Sequence, residues 1–246
     1  MTSMPLVVGD AVALFRARRD VLLRVAAPFL FLPVFALALL VPPAPALTRG
    51  TDDDGRQVWA ESVLAWAQAH GGWYLLAYAI AAWGAAFLYA VHLDCGAATV
   101  GAALARGTRA LPRYLLAMVL VSIPVGAGLL LWIIPGIYAM GRLMLVGPAL
   151  AADRRLGVRG AITRSLAMTH GHGLTTTALA ALPLAGDWLL GQPFLMIAAW
   201  MRGQGLENPV ALAVVHTVAA VIAMAATLAQ CLLAVALYRR LASNGT

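Results

Sequence analysis

Three ionisable side chains stand inside long apolar runs: Arg142, Asp187 and His216. A charge in hydrocarbon is costly unless it is paired or hydrated. An arginine and a carboxylate at matching depth can form an ion pair, and a histidine beside them can carry a proton. Counted from the outer ends of their runs at ~1.5 Å per residue, the three lie roughly 8, 15 and 9 Å deep. An Arg142–Asp187 pair with His216 near it, in one layer of a bundle, is therefore expected. Such a layer is either a pocket or gate for a lipid headgroup, ion or proton, or a structural pair that fixes helix register. An arginine that snorkels outward alone is the third possibility.

Other residue groups carry less. His170-Gly171-His172 has metal-binding side chains, but no cysteine or carboxylate cluster accompanies it. Asp52-Asp53-Asp54-Gly55 lacks the alternating ligands of a calcium loop. Cys95 and Cys231 fit no metal or redox spacing. Ser165 follows Arg164 and precedes His170, with no carboxylate close in sequence. No phosphate-binding glycine loop, HExxH or GxSxG occurs. The expectation is no catalytic residue, no metal site and no cofactor. Gln192, Gln230, Ser122 and Thr227 can hydrogen-bond between helices, each worth about 0.6–2 kcal/mol.

The elements that position these groups follow from composition. The chain is 62% hydrophobic and 11% charged, against about 25% charged residues in ordinary soluble domains. So little polar surface cannot cover a soluble core. Repeated apolar runs of membrane-spanning length define an all-α membrane protein with six transmembrane helices in a single domain, 1–246. Val8, Ala11, Val12 and Phe15 recur at helical spacing beside Arg16, Arg18 and Arg19, so 7–19 reads as an amphipathic interfacial helix. The basic region before Val25–Val41 partly resembles a signal peptide, but it is long for one, and a retained span is expected.

The spans fall at about 21–41, 73–93, 113–134, 137–152, 174–197 and 210–238. Pro28 and Pro33 should kink the first. An outer loop covers 42–72, with Trp59, Val63, Trp66 and His70 on one face of a short helix. Leu111–Ala152 would make a helix of roughly 63 Å, about twice the hydrocarbon core. Pro135-Gly136 is the natural tight turn that divides it. The resulting 137–152 span is short, and a re-entrant segment is its alternative. Pro183 and Gly191–Pro193 should break the fifth span. The inner basic segment, 153–173, carries Val158, Ala161, Ile162 and Leu166 as a second surface helix.

Orientation follows from the arginines, because all 17 basic residues are arginine. With both termini inside, the inner side holds Arg16, Arg18, Arg19, Arg24, Arg106, Arg109, Arg113, Arg154, Arg155, Arg159, Arg164, Arg239 and Arg240. The outer side holds Arg49, Arg56 and Arg202. This asymmetry selects N-in and C-in. The net charge of +7 points to the membrane surface and not to nucleic acid, since the arginines sit in short loops between apolar runs. Arg16, Arg18, Arg19, Arg154, Arg155, Arg159 and Arg164 are the candidates for binding anionic lipid headgroups.

Ile134-Pro135-Gly136-Ile137, Arg142, Pro148-Ala149, Asp153 and Ala161-Ile162-Thr163-Arg164-Ser165-Leu166-Ala167-Met168-Thr169 together resemble the YciC-like proteins of the bacterial inner membrane, a family of uncharacterised function. They are also similar to the membrane domain attached to some glycerophosphodiester phosphodiesterases. Gly9-Asp10-Ala11 through Phe15-Arg16 adds to the likeness. The resemblance implies a multi-span bundle in the inner membrane and no established activity. The phosphodiesterase barrel has no counterpart here, so its activity is not expected. Two classes of function remain: a non-enzymatic protein that organises lipids or a membrane-protein partner, and a small transporter or channel component using Arg142, Asp187 and His216.

Overall fold

A computed structural model describes residues 3–45, 53–93, 100–153, 155–204 and 208–243. Arg49, Asp52, Asp94, Cys95, Arg154 and Glu207 lie outside the described residues. The described part is helical, with six runs long and apolar enough to cross a membrane: Met4–Leu40, Asp53–Leu93, Leu104–Leu131, Ile133–Ala152, Gly173–Gly203 and Pro209–Ser243. This is the fold of a multi-pass helical membrane protein.

The first run has three parts: α1 (Met4–Ala26), a π-helical turn (Ala27–Phe31) and α2 (Leu32–Leu40). α1 bends at Arg18, whose φ of −139° and ψ of 26° are non-helical. That bend falls where the amphipathic stretch meets the apolar one. Pro28 sits in the π turn. A proline removes one backbone donor and crowds the preceding turn, and the wider π turn makes room for it. Pro33, by contrast, lies in the first turn of α2.

The second run corrects the expected 42–72 loop. α3 runs unbroken from Asp53 to Leu93, 41 residues, or roughly 62 Å. Gly71 and Gly72 do not interrupt it. Its first half is held to the chain before it by two tryptophans. Trp59 Nε1 donates to the Pro45 carbonyl at 3.0 Å, and Trp66 Nε1 to the Pro42 carbonyl at 3.0 Å. The loop shrinks because a helix satisfies its own backbone, and the apolar 42–45 segment folds back along it.

The hairpin that follows corrects the expected turn. α4 (Val100–Leu131) begins well before residue 113 and carries Pro112 and Pro124 inside it. The chain breaks at Trp132, extended at φ −163° and ψ 143°, and α5 (Ile133–Leu143) starts at once. Pro135 occupies the third position of α5. Its missing N–H costs nothing there, because the first-turn donors have no partner within the helix. Gly136 serves close approach instead: a Cβ on Gly128 would lie 2.8 Å from Gly136 Cα.

α5 turns at Met144-Leu145 into α6 (Val146–Ala152), so the fourth run is bent. α7 (Val158–Met168) returns beside α6. α8 (Gly173–Gly203) passes through Pro183 and Pro193 without a break, contrary to the expectation. α9 (Pro209–Ser243) closes the bundle. α8 packs on α9 and α5, α4 on α3 and α5, and α9 on α1. The tightest core lies where α3, α6 and α9 meet, around Phe87, Leu88, Leu145, Val146, Val235 and Leu237.

The first and last helices meet at one end. Arg240 pairs with Asp10, and Arg239 donates to the His92 carbonyl at the end of α3. This end also holds the start of α4 and the α6–α7 connection. It is called the arginine end below.

Candidate functional site

The structure separates the three expected polar residues. Arg142, near the C-terminus of α5, does not reach Asp187. Its guanidinium donates to the Thr169 carbonyl at 2.9 Å and to the Leu166 carbonyl at 2.9 Å. These are C-terminal carbonyls of α7, which lack acceptor partners inside the helix. The positive charge also faces the negative end of that helix dipole. The bond is returned: Ser165 Oγ donates to the Arg142 carbonyl at 2.8 Å, and Thr169 Oγ1 donates to the Ser165 carbonyl at 2.8 Å. Ser165 and Thr169 are fully buried. Arg142, Ser165 and Thr169 therefore form the joint between α5 and α7. The expected Arg142–Asp187 ion pair is absent because α7 supplies nearer acceptors.

His216 belongs to the opposite end. It is 3% exposed on α9, and Arg202 of α8 donates to its Nε2 at 2.8 Å. This bond requires the ring proton on Nδ1, which has no partner among the described residues. The Arg202–His216 contact ties α8 to α9. The single polar layer is thus three separate features.

Asp187 makes no hydrogen bond or ion pair with a described residue. It is half-buried on α8 and lines a cavity of about 440 Å³ between α3, α4, α5–α6, α8 and α9. The walls are mostly apolar, with Tyr78, Thr227, Gln230 and Cys231 as the other polar or polarisable groups.

A second cavity, of about 330 Å³, adjoins it at the arginine end. Arg106, Arg109 and Arg113 line it from α4, Tyr89 and Ala90 from α3, and Leu150 from α6. The two cavities share Tyr89, Tyr114 and Gly147. The tyrosine rings lie 6.1 Å apart, both buried, and form the partition. From Arg113 to Leu131 α4 covers 18 further residues, roughly 27 Å, close to the thickness of a hydrocarbon core. The three arginines thus stand at the depth of a headgroup layer.

Four arginines are committed to helix C-termini. Arg18 donates to the Val91 carbonyl at 3.0 Å, and Arg239 to that of His92, both in the last turn of α3. Arg113 donates to Leu150 at 3.0 Å in the last turn of α6, and to Leu156 at 3.3 Å. Arg142 completes the set on α7. Arg18 therefore has an internal role as well as an exposed surface.

The remaining headgroup candidates face outward. Arg16, Arg19, Arg155, Arg159 and Arg164 are all exposed. Arg19 lies 3.5 Å from Asp20. Arg164 lies 3.9 Å from Asp153 and 5.7 Å over the Tyr238 ring. The Arg16 and Arg159 side chains have no partner among the described residues. Arg154 lies outside those residues.

The remaining chemical groups stay scattered. His172 Nδ1 contacts the His170 carbonyl at 3.2 Å in the turn before α8, where Gly171 adopts φ 77°. Among the described residues no three His, Cys, Asp or Glu side chains gather. Cys231 is a buried free thiol.

The sequence reading passed over Arg106, Arg109 and Arg113 as flanking charges. Their spacing of three and four residues is the signal that one helix face presents all of them. Tyr89 and Tyr114 carry no such signal, since only packing brings α3 and α4 together. No protein-family model, curated protein or solved structure matches this chain.

Proposed function

We propose that this chain is a non-enzymatic inner-membrane protein of a bacterium, with both termini cytoplasmic, that organises anionic lipids or a membrane-protein partner at its arginine end. The observation that carries the reading is the division of labour among the arginines. Some cap helices, while Arg16 and Arg159 face outward without an internal partner. Each near-surface arginine adds about 1 kcal/mol of attraction to an anionic leaflet, an attraction that salt screens. The likeness to YciC-like proteins belongs to the same proposal. Its motif residues Arg142, Ser165 and Thr169 meet in one joint, which gives the motif a structural reason and leaves chemistry aside.

Native mass spectrometry after gentle extraction from mixed phosphatidylglycerol and phosphatidylcholine bilayers tests the reading. Enrichment of phosphatidylglycerol that falls with salt and with R16Q/R159Q is expected. Equal retention of both lipids would overturn it. A second reading, a small transporter or channel component, has Asp187 in its favour, as a carboxylate lining a cavity within the bundle. Asp187-dependent flux in proteoliposomes would select that reading instead.

A further inference from the structure

We propose that the two adjoining cavities form a binding site for one anionic glycerophospholipid, with its phosphate on Arg106 and Arg109 and one acyl chain passing the Tyr89–Tyr114 pair into the apolar cavity. The inference rests on the lipid-organising reading but makes it local and stoichiometric. Four observations carry it.

The first is charge. Arg106, Arg109 and Arg113 lie on one face of α4 and all line the same cavity. No carboxylate lines that cavity with them. A guanidinium matches a phosphate with two parallel donors. Arg113 already serves the Leu150 and Leu156 carbonyls, so Arg106 and Arg109 are assigned the phosphate. The second is depth. α4 leaves roughly 27 Å of helix beyond Arg113, so the arginines stand where a phosphate stands and the second cavity lies where acyl chains lie. The third is polarity. Beyond the tyrosines the walls are Ala81, Ala82, Ala85, Met118 and Val121, with Leu143 across from them. The polarity thus changes from cationic to apolar in the order of a phospholipid's own headgroup and chain. The fourth is size. The cavities of about 330 and 440 Å³ each fall within the ~300–1,000 Å³ of ligand pockets. Gly147 keeps the passage open: a Cβ there would lie 2.6 Å from the Tyr89 ring and 3.1 Å from the Tyr114 ring.

The test uses the full chain in nanodiscs, read by native mass spectrometry. One phosphatidylglycerol per chain should survive salt that strips diffusely held lipid, at least tenfold above phosphatidylcholine. R106Q/R109Q should reduce that retained lipid at least tenfold, with the helical circular dichroism and Tm kept. R109Q alone, at an exposed position, should give a partial loss and guards against a folding defect in the double variant. T227F, which intrudes on the apolar cavity away from the arginines, should also expel the lipid. R16Q/R159Q should leave the single retained lipid in place. Inorganic phosphate and glycerol 3-phosphate should compete poorly. Competition by either at lipid-like concentration would identify a phosphate site and overturn the acyl-chain half. Salt-sensitive phosphatidylglycerol enrichment without a one-to-one lipid would overturn this site and leave the broader reading standing. Absence of both would overturn the two together.

Discussion

Arg142 shows how one side chain changes meaning once its neighbours are known. It is a charge in an apolar run, and its two guanidinium bonds to Leu166 and Thr169 make it a joint. Hydrogen bonds to charged groups contribute about 1.5–3 kcal/mol each, so Arg142→Ala should destabilise the bundle by about 2–4 kcal/mol. Arg142→Lys should restore less than half, because an ammonium cannot hold two carbonyls in a fixed fork. Asp187→Ala should cost little, since that carboxylate has no described partner to lose. Effects of the two should add, within about 0.5 kcal/mol, in denaturation of the single and double variants. Coupling well above that would revive an Arg142–Asp187 pair. The charge of Arg142 was legible in the sequence, and so was its cost in hydrocarbon. Its partner was not, because backbone carbonyls carry no sequence signature.

At the scale of elements, proline and glycine decide less by their presence than by their position. Pro135 was expected to make the α4–α5 turn, and it lies instead in the first turn of α5, where a missing N–H has no cost. Pro135→Ala should therefore shift stability by less than about 1 kcal/mol and leave the hairpin intact in cross-linking between cysteines placed at its two arms. Loss of the hairpin would return the turn to Pro135-Gly136. Gly141 is the contrasting case. A Cβ there would lie 2.6 Å from the Thr177 backbone, where α5 meets α8. Gly141→Val should force the helices apart and lower stability by about 1–3 kcal/mol, visible as a drop in Tm. An unchanged Tm would mean that α5 and α8 do not pack this closely. The helices themselves were readable from apolar periodicity. Their ends were not, since α3, α8 and α9 all extend past the apolar windows wherever packing or tryptophan bonds support them.

For the whole molecule, the meeting of α1 and α9 through Asp10 and Arg240 puts both described termini at one end, as six crossings require. In a background lacking Cys95 and Cys231, Ser243→Cys should be protected from a membrane-impermeant thiol reagent in intact cells, while Asn208→Cys reacts. The reverse pattern would invert the proposed orientation. Composition and run length by themselves determined that this chain is a multi-pass helical membrane protein, because a chain 62% hydrophobic can satisfy its backbone in lipid only by helices or a closed barrel, and its apolar runs have helical length. The sequence also determined that arginine gathers on one set of loops. Only the tertiary structure decided what each arginine does. A cation's role depends on which acceptor stands within about 3 Å, and that is fixed by helices distant in sequence: Arg239 by α3, Arg142 by α7, and Arg106 and Arg109 by an open cavity.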